Sequence, residues 1–161
     1  MLTRSSRSLL NLSPQYRVIP IVESRAVFAR AIETARVRAI LLQHCNLFEL
    51  APLLESAYHR NIAVYVNADH MDGISADAAG LRYLARKLNV TGIVSNHSRL
   101  LATGKGLGLQ TIQRLFVVDS MGLEGALESV DLHNIDLLDI SPALAIQYIV
   151  PYLQEILPLP F

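Results

Sequence analysis

The stretch NADHMDGIS, residues 67–75, places Asn67, Asp69, His70 and Asp72 directly after the apolar run IAVYV. Carboxylates and imidazoles this close together can ligate a metal, move protons or hold a polar ligand. A metal would need further ligands, for which His44 and His97 are the candidates. No pair has the i, i+4 spacing of a zinc helix, and the aspartate spacing of a calcium loop is absent. Asp69 and His70, as neighbours on an extended chain, would also face opposite ways. These residues therefore predict no metal. Acid–base work by Asp69 with Asp119 or His97 stays open, because it asks only that separate strand ends meet.

The same kind of cluster recurs along the chain. Glu23 follows RVIPIV (17–22), Gln43 and His44 close RAILLQ (38–43), and Ser95, Asn96, His97 and Ser98 close TGIVSN (91–96). Asp119 and Ser120 follow TIQRLFVV (111–118), and Asp139 and Ser141 end IDLLDI (135–140). These runs recur every 21 to 29 residues and read as strands. Helical stripes lie between them, among them Val27, Phe28, Ala31 and Ile32, then Leu81, Leu84, Ala85 and Leu88. Ser24, Ser75, Ser98 and Ser120 are the expected N-caps.

Strand–helix alternation at this period predicts an α/β fold with parallel strands. No unit carries a dinucleotide-binding glycine fingerprint, and all follow one pattern. The expected architecture is a TIM-barrel-like (β/α) repeat. It is incomplete, with about six units and, in LPLPF (157–161), the start of a seventh strand. Residues 1–16 are expected as an N-terminal segment and 17–161 as the partial barrel. The strand ends of such a barrel converge on one face, so the polar clusters form a shared rim. Within IQRLF, alternation puts Gln113 and Arg114 on opposite faces. Counting parity from Asp119 predicts Gln113 in the lumen and Arg114 toward the helices. The glycine-rich TGKGLGLQ (103–110) precedes a strand and fits no phosphate-loop pattern, so it is expected as a connector on the far face.

Composition narrows the function. The chain is 52% hydrophobic, 17% charged and formally neutral over its 161 residues, which argues against indiscriminate nucleic-acid binding. The charge is uneven: residues 1–60 hold eight Arg against four Glu, leaving room for a local basic footprint. No apolar stretch is long enough to span a membrane. The lone Cys45 excludes an internal disulfide and fits the cytoplasm. The lysines, Lys87 and Lys105, lie away from strand ends, which counts against Schiff-base chemistry.

VNADHMDGI, TGIVSNHS, LQTIQRLFVVDS and DLLDISPAL together resemble the motifs of the glycerol-3-phosphate-responsive antiterminators of glycerol uptake operons. The similarity runs from about Val18 to the end of the chain, with IQR-apolar-F followed by DS as its most specific piece. The resemblance implies a non-enzymatic, cytoplasmic regulator that needs no cofactor. It would bind glycerol 3-phosphate, a small phosphorylated polyol, and act on leader mRNA of glycerol-utilisation genes. Carried over by position, Asp69, Ser95, Asn96, Gln113, Arg114 and Asp119 are the expected ligand contacts, with Pro142 a further motif position. Asn96 and His97 stand where the family has Thr followed by Lys or Arg. Against the family the chain reads as truncated, stopping inside the seventh strand, so open barrel edges are expected to pair with a second copy. The alternative is a small barrel enzyme of aldolase or isomerase type using Asp69 and Asp119 as acid and base.

Overall fold

The computed structural model describes residues 8–16 and 18–156. Its main sheet holds β1 (Ile21–Val22), β2 (Ala39–Leu42), β4 (Ala63–Asn67), β6 (Gly92–Ser95), β7 (Gln110–Phe116) and β8 (Leu137–Ser141), parallel and in that spatial order. A two-residue pair, β3 (Cys45–Asn46) with β5 (Met71–Asp72), ties together the loops that leave β2 and β4. The helices are α1 (Arg25–Glu33), α2 (Leu47–His59), α3 (Ala78–Arg86), α4 (Ser98–Gly106), α5 (Ser120–Glu128) and α6 (Ile146–Ile156). The result is a six-stranded parallel half-barrel of the TIM-barrel type. The expected strand in LPLPF lies outside the described residues.

Both faces of the sheet are covered, which explains why β2, β4 and β6 are buried along their whole length. Ile40, Val64, Ile93 and Leu115 face the helices and join Leu50, Leu54, Leu81, Leu84 and Leu101 in the larger core. Ala39, Leu41, Ala63, Tyr65, Val94 and Ile112 face the concave side and form a second core. Leu9 and Leu12 of the N-terminal segment, with Ile19 just before β1, pack against that concave core. Tyr65 fixes the segment in place, since its hydroxyl accepts from Leu9 N at 3.0 Å and donates to Gln110 Oε1. Burial pushes the Tyr65 phenol pKa up, so it stays protonated in these bonds.

The helix starts are capped by other residues than three of those expected. Ser24 does accept from Val27 N, but α3 is capped by Asp77, whose Oδ1 takes both Ala79 N and Gly80 N. Asp119 caps α5 through Gly122 N, and His97, without a side-chain bond, precedes α4. An ionised carboxylate accepts more strongly than a hydroxyl, so Asp77 displaces Ser75 and Asp119 displaces Ser120. Asn61 and Asn89, just beyond α2 and α3, take left-handed backbone (φ 59° and 54°) that Asn tolerates at helix ends. The glycine-rich 103–110 stretch does connect a helix to a strand, but its first half is the last turn of α4. Gly104 there lies against Ile93, where a Cβ would come within 2.7 Å.

Candidate ligand site at the strand ends

Arg114 is the fifth residue of β7, with Gln110 and Ile112 before it on the same face. Ile112 belongs to the concave core, so Arg114 points into the lumen. Gln113 points the other way, where its Nε2 donates to Ser129 Oγ (2.9 Å) and Ser129 O (3.3 Å) beneath α5. This reverses the orientation expected from Asp119. Alternation holds only inside the ladder, and Asp119 lies beyond it as a helix cap, so its parity does not carry back to Gln113.

Arg114 Nε donates to Asp139 Oδ2 at 2.7 Å, its neighbour in register on β8. An Nη1 hydrogen goes to Gln43 Oε1, just past β2, at 3.0 Å. β2 and β7 are separated by β4 and β6, about 14 Å along a sheet at the usual strand spacing of about 4.8 Å. A single arginine closes that gap only because the sheet curls, so the bond crosses the concave side. The guanidinium side chain is 9% exposed and Asp139 33%. Two of five guanidinium hydrogens are thereby used, and the head is held in a fixed position.

Asp69 sits in a different network. Its Oδ1 accepts from the Ser95 hydroxyl at 2.6 Å and its Oδ2 from Asn96 N at 2.8 Å. Ser95 Oγ in turn accepts from His97 N at 2.9 Å, and Asn67 Oδ1 accepts from Asp69 N at 3.1 Å. Asp69, Ser95 and Asn96 are thus brought together, as the spacing predicts, and they tie the β4 loop to the start of α4. Asn67 itself pairs in register with Val94 and so shares the lumenal side. Asp119 is at the α5 cap, engaged with Gly122. Asp139, Gln43 and Asn67 complete the lumenal rim and are residues that sequence reasoning noted without singling them out. The sequence signal for Asp139 is its place as the polar residue near the end of IDLLDI; its pairing with Arg114 comes from the register of β7 and β8.

His44 and His70 rings lie 5.2 Å apart at the same end, both exposed. Among the described residues no three His, Cys, Asp or Glu side chains group as a metal site. Cys45 is buried, and that burial, with Glu49 nearby, pushes its pKa up to about 11, leaving it a protonated thiol. Below the rim the lumen opens into a cavity of about 520 Å³, with Leu12, Ile21, Leu41, Val94 and Ile112 among its walls and Asp139 at its edge. The arrangement offers one anchored cation, a carboxylate oxygen and two amides above an apolar floor. That set suits an anionic group carrying neighbouring hydroxyls.

Comparison with known proteins gives a consistent result. Residues 18–161 match the family model of the glycerol-3-phosphate responsive antiterminators. The chain superposes on the glycerol uptake operon antiterminator regulatory protein of Listeria monocytogenes with a TM-score of 0.83 at 20% identity, covering 93% of this chain and 80% of that one. A glycerol uptake operon antiterminator-related protein of Thermotoga maritima gives 0.73 at 16% identity, over 84% and 76%. At such identities these two establish the shared fold. The YgcP protein of Escherichia coli is 25% identical over 134 residues, 83% of this chain and 70% of its own length.

Proposed function

The chain belongs to the glycerol-3-phosphate responsive antiterminator family, and from that premise we propose that it senses glycerol 3-phosphate at the lumenal rim and acts on leader mRNA. The carrying observation is Arg114, a nearly buried cation aimed into the lumen at the strand ends and held by Asp139 and Gln43. A phosphate would take its remaining donors, while Asp139, Gln43 and Asn67 offer partners for the glycerol hydroxyls. We keep Arg114 from the expected contacts, assign Asp69, Ser95 and Asn96 to shaping the rim, and place Gln113 and Asp119 in the support of α5. Against the acid–base alternative, both Asp69 oxygens already accept hydrogen bonds and Asp119 Oδ1 is committed to the α5 cap. A non-enzymatic, cytoplasmic regulator is the reading that follows. The sheet edges at β1 and β8 have no partner strand among the described residues, and a second copy could add there.

Calorimetry with glycerol 3-phosphate, glycerol and inorganic phosphate tests the site. Wild type is expected to prefer glycerol 3-phosphate over either part. Arg114→Met is expected to weaken it by roughly ten- to a hundredfold, the equivalent of about 1.5–3 kcal/mol for a charge-assisted bond. Unchanged affinity in Arg114→Met would refute the assignment.

A further inference from the structure

In a parallel (β/α) fold the helices run back against the strands, so helix C-termini gather at the strand-start end, opposite the rim. At that end α1, α2 and α3 stand side by side. Arg60 Nη1 reaches Ile32 O at 3.5 Å, and the Tyr58 hydroxyl donates to Asn89 O at 2.7 Å. Around them are Arg30, Arg36, Arg38, Arg60, Arg82, Arg86 and Lys87, all exposed except the half-buried Arg38. The carboxylates on this part of the surface are Glu33 and Glu55, and Glu55 already faces His59 at 3.8 Å.

None of the seven cations forms an ion pair among the described residues, whereas elsewhere Arg25, Lys105 and Arg114 each have a carboxylate partner and Arg99 stands alone without one. Helix dipoles favour a cation in a last turn, which accounts for one residue per helix. They do not account for Arg36 and Arg38, which lie past α1 in the connection to β2. Nor do they explain Arg82, one turn before the last-turn Arg86 on the outer face of α3, where the two like charges repel each other slightly. Arg38 also stacks over the Tyr16 ring at 4.8 Å, which sets a planar cation beside an aromatic face. The opposite end is the acidic one, with Glu23, Asp72, Asp77, Asp119 and Glu124 all exposed.

We propose that the strand-start end beneath α1–α3 is the RNA-docking face, engaging backbone phosphates on the side of the barrel away from the ligand rim. This rests on the antiterminator reading. Unpaired arginines in a neutral protein concentrate the electrostatic attraction where a polyanion can follow it, and the docking is salt-dependent. Ligand control would then pass through the barrel rather than through direct contact between ligand and RNA.

The test is fluorescence anisotropy of a labelled single-stranded RNA between roughly 50 and 200 mM salt, with and without glycerol 3-phosphate. The variants are Arg36→Gln/Arg86→Gln/Lys87→Gln and, at the opposite end, Arg99→Gln. The triple variant is expected to bind at least tenfold more weakly and to flatten the salt slope by about 0.7 per lost phosphate contact. Its glycerol 3-phosphate affinity should equal wild type, and Arg99→Gln should bind RNA normally. If wild type binds RNA and the triple variant matches it, the placement is overturned while the antiterminator reading stands. Wild type binding no RNA in either condition overturns both. Tighter, triple-sensitive capture by phosphatidylserine vesicles than by RNA overturns the RNA assignment of the face.

Discussion

Replacing Asp69 separates a residue that holds the rim together from one that merely lines it. Asp69→Ala removes the acceptor of the Ser95 hydroxyl, whose residue is 1% exposed, and of the Asn96 amide. A bond from a buried hydroxyl to a charged acceptor contributes about 1.5–3 kcal/mol, and the amide, which water can reach, about 1 more. The expected loss is therefore about 2.5–4 kcal/mol, or roughly 5–15 °C in Tm for a domain of this size. Asp69→Asn retains one oxygen and should cost about half as much. Urea unfolding of Asp69→Ala, Ser95→Ala and the double variant gives the coupling, expected at about 1–2 kcal/mol. Single variants within about 0.5 kcal/mol of wild type, or a coupling of zero, would show that the network does not hold the rim.

Four other sites carry further expected outcomes. Gly92→Ala would put a Cβ 2.5 Å from Gln110 O and 2.7 Å from the Tyr65 ring, so urea midpoints should fall by an amount worth about 3 kcal/mol or more. Gly125→Ala, where a Cβ meets nothing within 4 Å, should be neutral or stabilise α5 by up to about 1 kcal/mol. Asp136→Ala strips Lys105 of its partner and leaves the buried Thr111 amide, now bonded at 2.9 Å, without an acceptor; thermal melts should show a loss of about 3 kcal/mol. Cys45, with its pKa raised from 9.0 to about 11, should alkylate slowly in the native state at neutral pH and fast once unfolded. Because its folded pKa is raised, its contribution is fully present below pH 9 and is lost as pH rises toward about 11, so stability falls across that window.

The six main strands were legible because each is a short apolar run, rich in β-branched residues, bounded by helical stripes. Their faces were harder to read. Alternation assigns faces only when one side is polar, and here both sides are apolar, so IQRLF gave no internal sign of which of Gln113 and Arg114 looks inward. The structure decides through Ile112, which packs with Val94 and Ala63 on the concave side. The β3–β5 pair was invisible because two-residue strands carry no period. The Asp69–Ser95 contact was foreseeable as a meeting of strand ends, but its geometry depends on how the loop after Asn67 turns back, which composition does not specify.

The Tyr65 hydroxyl joins Leu9, 56 residues earlier, to Gln110, 45 residues later. During synthesis the first part of the chain therefore emerges long before its seat exists. β4 must form, and β7 must arrive beside β6, before Leu9 and Leu12 have a concave surface to cover. Leu9 and Leu12 thus dock late, and the order in which the molecule assembles differs from the order in which it is made.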